Sequence, residues 1–160
     1  MPRPVLRAND GRVLVVSARV KLTNLKITGG DVSYSGGGIR NTGTLTLKST
    51  EVIGNSAAAG GGGIYNRKGT VNLRDAVVLG NTATYGGGIY SHAGTLTLRG
   101  TSSVMGNTAD SDDDGSETGG GIFVGCAGTL TGAVDGVNVN DNYLGTASPV
   151  EDNIFYQTPC

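Results

Sequence analysis

The sequence contains three glycines followed by an isoleucine four times, and this repeat limits the possible folds more than any other feature. The isoleucines are separated by 25, 25 and 33 residues, at Ile39, Ile64, Ile89 and Ile122. A fixed period of about 20 to 50 residues is typical of repeat proteins, in which each unit buries its apolar face against the next unit. The chain is therefore predicted to stack similar units along one axis.

Two further motifs keep the same spacing. One alternates threonine with apolar residues after a glycine, at 43–47, 69–73, 94–98 and 128–131. This alternation with a period of two is typical of a half-buried strand. The other motif reads valine, apolar residue, glycine and asparagine at 52–55, 78–81 and 104–107, with a degraded copy at 139–142. Each unit is thus predicted to hold three short strands joined by turns.

Three strands in about 25 residues leave too little chain for hairpins with their own core, but they suit one coil of a parallel β-solenoid with strands about 4.8 Å apart. An irregular earlier unit fits the same register, because Val20 and Leu22 precede Leu45 and Leu47 by 25 residues. We predict an all-β fold with a single domain of about five coils. Residues 1–10 are the expected lead-in, 11–142 the coils, 109–118 an acidic insertion and 143–160 a C-terminal cap.

Stacked coils turn each equivalent position into a ladder. The predicted inward ladders are Ile39/Ile64/Ile89/Ile122, Leu45/Val71/Leu96/Leu130, Leu22/Leu47/Leu73/Leu98 and Ile27/Val52/Val78/Val104/Val139. At one turn the stacked amides of four asparagines are predicted to hydrogen-bond along a column, as in other stacked β structures. These are Asn55, Asn81, Asn107 and Asn142, and a role facing a ligand is the alternative.

Taken together, the motifs read GGGIYN-x-GTLTL-x-x-x-x-V-x-GN, which resembles the repeat of right-handed parallel β-helix proteins related to polymorphic outer membrane proteins and bacterial surface adhesins. The resemblance covers roughly residues 11 to 142, with its clearest copies at 61–81 and 86–107. The chain departs from the polymorphic membrane protein pattern in lacking the FxxN tetrapeptide and in carrying GGGI at the glycine-rich turn. The resemblance implies a right-handed coil and a secreted or surface-displayed solenoid, commonly a passenger or an adhesive stalk, and it implies no activity.

The composition limits the classes of partner that the chain is expected to bind. The net charge is −1 and charged residues make up only 16% of the chain, so no nucleic acid and no anionic membrane is expected as a partner. No apolar run approaches the length of about 18 residues that a transmembrane helix needs. The first seven residues lack the apolar region of a signal peptide, which favours the cytosol, whereas the resemblance implies the cell surface or the outside. Both locations stay open, with the surface preferred.

The two cysteines also leave alternatives. Cys126 follows the last GGGI strand and Cys160 ends the chain, so one disulfide or two free thiols are both compatible with the sequence. A disulfide would tie the tail to the last coil, whose open end needs a cap. The apolar residues Tyr143, Leu144, Ile154, Phe155 and Tyr156 are predicted to form that cap.

The long fourth interval carries an acidic insertion. Its aspartates have the spacing D-x-D-x-D-G, in which Gly115 permits the sharp turn that lets carboxylates converge on a hard cation. An EF-hand is excluded because the twelfth position is Gly121 rather than glutamate. A looser calcium site is one interpretation and a solvated acidic loop is the other. The candidate ligands are Asp110, Asp112, Asp114, Ser116 and Glu117.

Outward positions offer several candidate binding surfaces. Tyr65, Tyr90 and Phe123 follow the isoleucines, after Arg40, and could stack on one another or form an aromatic platform for sugars. Two threonine files resemble the surface of ice-binding solenoids, although strand propensity alone explains them. A third surface is apolar and is the expected site of a protein partner or a larger assembly. It consists of Ile53, Leu79 and Met105.

No catalytic constellation is recognisable. Glycoside hydrolysis needs two carboxylates about 5 to 9.5 Å apart, and the carboxylates outside the acidic insertion do not share one ladder face. The single histidine, His92, lies between Ser91 and Ala93. We therefore expect a non-catalytic structural or interaction module, with no cofactor beyond a calcium ion. A carbohydrate-binding or carbohydrate-cleaving β-helix is the alternative, and an ice-binding solenoid is the third interpretation.

Overall fold

A computed structural model describes residues 2–109, 119–133, 138–145 and 150–157, and every regular element in these ranges is a β-strand. The strands form four sheets, and successive members of each sheet come from successive coils; the exception is Val150–Glu151, which pairs antiparallel with Tyr143–Leu144. The predicted all-β parallel solenoid with a period near 25 residues is therefore confirmed. The handedness of the coil stays a prediction.

We name each sheet after a residue type that recurs in its strands. The isoleucine sheet consists of Leu14–Val16, Ile39–Asn41, Ile64–Asn66, Ile89–Ser91, Ile122–Val124 and Ile154–Tyr156. The threonine sheet consists of Arg19–Thr23, Thr44–Lys48, Thr70–Arg74, Thr95–Arg99 and Thr129–Thr131. The valine sheet consists of Val5–Arg7, Lys26–Thr28, Glu51–Ile53, Val77–Leu79, Ser103–Met105 and Val139–Asn140. The alanine sheet consists of Asp31–Val32, Ser56–Gly60, Thr82–Tyr85, Thr108–Ala109, Tyr143–Leu144 and Val150–Glu151.

The alanine sheet corrects the prediction of three strands per coil to four. Its inward residues are small: Val32, Ala57 and Ala83 form a second buried cluster beside the main core. Alanine, serine and glycine are depleted in strands and lack the alternation of large apolar residues that marks the other sheets. Hydrogen bonding to the neighbouring coils, rather than intrinsic propensity, gives this segment its strand conformation.

The inward ladders lie where the sequence places them. The pairing registers join Ile64 to Ile39 and Ile89, and they join Val78 to Val52 and Val104. These side chains are fully buried. The ladders loosen toward the ends of the stack, where Leu22 and Leu130 are only partly buried. A narrow apolar core thus runs through the coils.

The asparagine column is confirmed as a continuous chain of buried amides. Asn55 donates its Nδ2 to Oδ1 of Asn81 at 3.0 Å, Asn81 to Asn107 at 2.9 Å, and Asn107 to Asn142 at 2.8 Å. Asn142 continues it by donating to Oδ1 of Asn153 at 3.1 Å. The Oδ1 atoms that accept these bonds each also accept the backbone N–H of the preceding asparagine in the column, and Oδ1 of Asn55 accepts the backbone N–H of Gly30.

A second polar column lies at the end of the isoleucine strands, and the sequence motifs did not predict it. Asn41 donates its Nδ2 to Oδ1 of Asn66 at 2.9 Å, and Asn66 donates to Oγ of Ser91 at 3.4 Å. All three side chains are completely buried. Buried polar groups need such partners, so this column also fixes the stacking of the coils.

The glycine triplets serve two different purposes. In the copy 61–63, Gly61 has a positive φ of 66°, which a residue without Cβ adopts at little cost. Gly62 is required by close packing instead, because a Cβ there would lie 2.2 Å from the carbonyl oxygen of Thr82. Only glycine lets the backbones of consecutive coils approach this closely.

Both ends of the solenoid extend beyond the predicted coil boundaries. Val5–Arg7 pairs in parallel with Lys26–Thr28, so the coils begin within the segment expected to be a lead-in. At the other end, Ile154–Tyr156 pairs in parallel with Ile122–Val124 as one more strand of the isoleucine sheet. The tail therefore covers the last coil by continuing the sheet.

Candidate functional site

The outer face of the isoleucine sheet combines aromatic and basic side chains. The pairing registers align Tyr65 with Arg40 on one side and with Tyr90 on the other, and they align Tyr90 with Phe123. Phe155 extends the file through its pairing with Phe123. The three residues of the predicted sugar platform thus lie side by side. We call this surface, with its flanking loops, the arginine–aromatic face.

The aromatic rings of this face pack against each other. The ring centroids of Tyr65 and Tyr90 are 5.3 Å apart, and Tyr90 meets Phe123 edge-on at 5.0 Å with an interplanar angle of 78°. Such distances and tilts are those that aromatic pairs prefer. Phe123 is only 6% exposed, whereas Tyr65 and Tyr90 remain half-buried. The tyrosines, rather than Phe123, keep ring surface available to a ligand.

Two further aromatic residues join the face, and the sequence analysis did not select them. Tyr85 from the alanine sheet meets Phe123 edge-on at 5.7 Å, and His92 meets Tyr90 edge-on at 5.6 Å. Burial raises the pKa of Tyr90, and the neighbouring Tyr65 and Tyr85 raise it further. Tyr85 directly precedes a glycine triplet, which is the one sequence signal that could have identified it.

Arg12 builds the wall of a cavity at the arginine end of the face. Its Nε donates to the carbonyl oxygen of Gly36 at 2.7 Å, and its Nη2 donates to that of Ser35 at 2.6 Å. The guanidinium also lies over the ring of Tyr34, 4.8 Å from the centroid. Burial lowers the pKa of Arg12, Tyr34 raises it, and the nearby charge of Arg40 lowers it. Arg12 therefore fixes the loop that borders the cavity.

This cavity has a volume of about 360 Å³ and is strongly basic. Its lining consists of Arg12, Tyr34, Ser35, Arg40, Tyr65 and Arg67, with no carboxylate among them. Within the described ranges, the guanidinium groups of Arg40 and Arg67 make no hydrogen bond and no ion pair; the ion pair found there joins Arg3 to Glu51. The positive charge of the cavity is therefore not neutralised by the described part of the chain.

A second cavity of about 360 Å³ continues the face on its aromatic side. Its lining includes Ser35, which it shares with the first cavity, and the rings of Tyr85, Tyr90 and Phe123. Gly60 forms part of its floor, where a Cβ would lie 2.3 Å from Cδ1 of Tyr90. The missing side chain lets the Tyr90 ring lie against the backbone. The two cavities share Ser35, the first is basic and the second aromatic, and we call the two together the groove.

The apolar residues predicted to meet a protein partner lie on the outside of the valine sheet. Ile53, Leu79 and Met105 are aligned by the pairing of their strands and are partly exposed. The alternative register, which would bury them, is not found. Their role as a partner surface stays a prediction.

The threonine files occupy the outside of the threonine sheet. Thr44, Thr70 and Thr95 are aligned, as are Thr46 and Thr97 with Asn72 between them. Ice binding by this surface stays a prediction. A basic column also lies at the end of these strands, and it consists of Lys48, Arg74 and Arg99.

The calcium prediction falls on residues outside the described ranges. Asp110, Asp112, Asp114, Ser116 and Glu117 all lie there. Among the described residues, no group of three or more histidine, cysteine, aspartate or glutamate side chains could hold a metal ion. Calcium binding therefore stays a prediction of the sequence.

The two cysteines differ in what the structure describes. Cys126 is disulfide-bonded, and no described cysteine is free. Cys160 lies outside the described ranges.

Comparison with known proteins identifies one repeat. Residues 49–67 match the Chlamydia polymorphic membrane protein (Chlamydia_PMP) repeat. The matched segment runs from the valine sheet through the alanine sheet to the isoleucine sheet, and it includes Asn55 and the second glycine triplet. No curated protein and no solved structure matches the chain significantly. Among the described residues, no helix has the length and apolar character needed to cross a membrane. The chain is a parallel β-solenoid repeat protein whose repeat is similar to that of the polymorphic membrane proteins.

Proposed function

We propose that this chain is a non-catalytic, adhesin-like binding module that is displayed on a cell surface or released outside the cell. In this proposal the arginine–aromatic face makes the contact with the partner. The similarity of residues 49–67 to a repeat of surface proteins supports the location.

One observation supports the binding role more than any other. Arg40 and Arg67 line a cavity beside Tyr65 and have no anionic partner among the described residues. Arg40 is half-buried and Arg67 is exposed, and a charge withdrawn from water normally finds a counter-charge within its own protein. Here the strands that carry Arg40 and Tyr65 are held on both sides by parallel pairing, so the charges are presented on a fixed surface. A partner that supplies the negative charge accounts for this arrangement.

The chemistry of the face favours binding over catalysis. General acid–base catalysis needs groups that exchange protons near the working pH, and arginine stays protonated. In the described part of the chain, neither cavity is lined by a carboxylate. His92 contacts the rings of Tyr65 and Tyr90. The face can therefore attract and orient an anion, and it offers no described pair of groups to cleave one.

Two measurements test this function. Protease treatment of intact cells should degrade the native protein if it is displayed, and protection until lysis would contradict the surface location. For binding, beads coated with the purified chain should adhere to target cells. The variant R40Q/R67Q should lose most of this adhesion because it removes both unpaired charges.

The control variant R74Q/R99Q removes the same net charge from the threonine sheet. It should adhere like the unmodified chain. Equal loss in both variants, or no loss in either, would show that the arginine–aromatic face is not the binding surface.

A further inference from the structure

We propose that the ligand of the arginine–aromatic face is an acidic polysaccharide. Its carboxylate or sulfate groups would meet Arg40 and Arg67, and its sugar rings would lie on Tyr65 and Tyr90. This inference rests on the proposed function, since it names the ligand class of the same face.

The charges of the cavity fit a carboxylate or a sulfate. A guanidinium carries five N–H donors in a planar fork, which matches the oxygens of these anions in pairs. The donors of Arg12 are directed at the carbonyl oxygens of Ser35 and Gly36. Arg40 and Arg67 have all their donors available within the described part of the chain. The cavity therefore separates an arginine that builds its wall from two arginines that can bind a ligand.

The aromatic residues distinguish a polysaccharide from other anions. Tyr65 lines the same cavity as both arginines, and its centroid is 5.3 Å from that of Tyr90, with the rings tilted by 48°. Aromatic side chains combine a large apolar face with a polar tip. Such a ring fits the apolar C–H face of a sugar, whereas an acidic protein segment would need only the charges. An acidic sugar polymer presents both features in alternation.

The groove extends beyond one binding position. The second cavity shares Ser35 with the first and continues past Tyr85 and Tyr90 to Phe123. It follows the stacking direction of the coils, which are spaced by about 4.8 Å between paired strands. An extended polymer can occupy such a groove along its length, whereas a single sugar would fill only the basic end. The geometry thus favours a chain of sugars.

Calorimetric titration of the purified chain with four probes tests the ligand class. The probes are a heparin-derived octasaccharide, a hyaluronan octasaccharide, a neutral dextran oligosaccharide and an eight-residue polyglutamate. At least one acidic saccharide should bind roughly tenfold or more tightly than dextran and polyglutamate, because only it offers charge and sugar rings together. Binding of heparin alone would identify sulfate as the recognised group, and binding of hyaluronan would identify carboxylate.

The other outcomes overturn the inference. Equal binding of polyglutamate would indicate an acidic protein segment, and equal binding of dextran would show that the arginines do not select the ligand. If neither acidic saccharide binds while R40Q/R67Q still abolishes cell adhesion, the ligand class is wrong and the face is right. If adhesion is also unaffected, the proposed function itself fails.

Paired variants test whether the groove or the overall charge is responsible. R40Q/R67Q should bind the acidic saccharide at least about tenfold more weakly, and R74Q/R99Q should change the affinity by less than about twofold. If both double variants lose affinity to a similar extent, long-range electrostatic attraction explains the binding, and the proposed binding site is wrong.

The aromatic contribution has its own pair of variants. Y65A keeps every charge and should bind roughly three- to tenfold more weakly. Y156A removes an exposed tyrosine that lines neither cavity and should have no effect. Circular dichroism and thermal melting confirm that each variant is folded. Unchanged affinity in folded Y65A would contradict stacking of sugar rings on this face.

Discussion

Removing one amide from the middle of the buried asparagine column should destabilise the stack of coils far more than removing an amide from its surface. Asn81 is completely buried. Its Oδ1 accepts the backbone N–H and the Nδ2 of Asn55, each at 3.0 Å. Its Nδ2 donates to the carbonyl oxygen of Val52 at 3.0 Å and to Oδ1 of Asn107 at 2.9 Å. One side chain thus joins three coils.

The magnitude follows from the groups that lose these bonds. In Asn81→Ala the backbone N–H of Asn55 loses its acceptor and the carbonyl of Val52 loses a donor. A buried polar group without a partner costs about 1–3 kcal/mol. The free energy of unfolding should therefore fall by about 2–5 kcal/mol, measured by urea denaturation followed by far-ultraviolet circular dichroism.

A surface asparagine supplies the control. Asn72 lies on the outside of the threonine sheet, is partly exposed and makes no side-chain hydrogen bond within the described residues. Asn72→Ala should change the free energy of unfolding by no more than about 0.5 kcal/mol. If the two variants differ by less than about 1 kcal/mol, the amide column does not stabilise the stacking, and the ladder argument is wrong.

The aspartate variant at the same position adds a pH-dependent test. Asn81→Asp keeps an acceptor for Asn55. Its neutral form can still donate one hydrogen bond, its charged form donates none, and burial also disfavours the charged form. Its pKa in the folded protein should lie above the unfolded value of about 3.9. The variant should therefore be most stable below about pH 4 and lose stability as the pH rises through the folded pKa. A stability difference from the unmodified protein that does not vary with pH would contradict burial of this position.

Four further substitutions test packing, backbone conformation and ionisation separately. Gly62→Ala should prevent folding or lower the free energy of unfolding by more than about 3 kcal/mol, because its Cβ would lie 2.2 Å from a backbone carbonyl oxygen. In Gly80→Ala the Cβ would meet nothing within 4 Å, so the loss should be only the roughly 1–2 kcal/mol that a positive φ costs. Thermal melting of the two variants measures the difference. Burial raises the pKa of Tyr90, so its neutral form should be retained to a higher pH than in an exposed tyrosine. The stability linked to the neutral form should be lost as the pH rises through this raised pKa. Tyr90→Phe should remove the phase at highest pH from an ultraviolet titration of the tyrosines. The backbone N–H of Thr101 donates to the carboxylate of Asp75 and lowers its pKa. The stability that this hydrogen bond gives the folded protein should be lost as the pH falls through the lowered pKa. Asp75→Asn should abolish the acid-induced change at this position in an NMR titration.

The ladders could be predicted because period and alternation determine them together. The 25-residue spacing identifies the equivalent positions, and the alternation in the threonine strands decides which residues face inward. The buried amide column was predictable for the same reason, since Asn55, Asn81 and Asn107 each follow a glycine at the equivalent position of their repeat. These features repeat, so one copy supports the interpretation of the next.

Two features escaped prediction: one lacks alternating large apolar residues, and the other combines residues of several repeats. The alanine sheet was missed because residues such as those in Ser56–Gly60 form a strand only when neighbouring coils supply hydrogen bonds. The basic cavity was missed because Arg12, Arg40 and Arg67 come from different positions of different repeats. In the sequence, Arg40 is only the residue that precedes Tyr65, Tyr90 and Phe123 at the position after each isoleucine. These three charges come together through the stacking of the coils, and no sequence motif joins them.

The separation between inward and outward ladders has a consequence for how the sequence can change over time. Coils are joined by backbone hydrogen bonds and buried amides, and the outward side chains on the same strands take no part in either. Substitutions on the exterior can therefore accumulate without unfolding the molecule. Every second residue of a strand outside the arginine–aromatic face can therefore vary, while the scaffold that presents this face is retained.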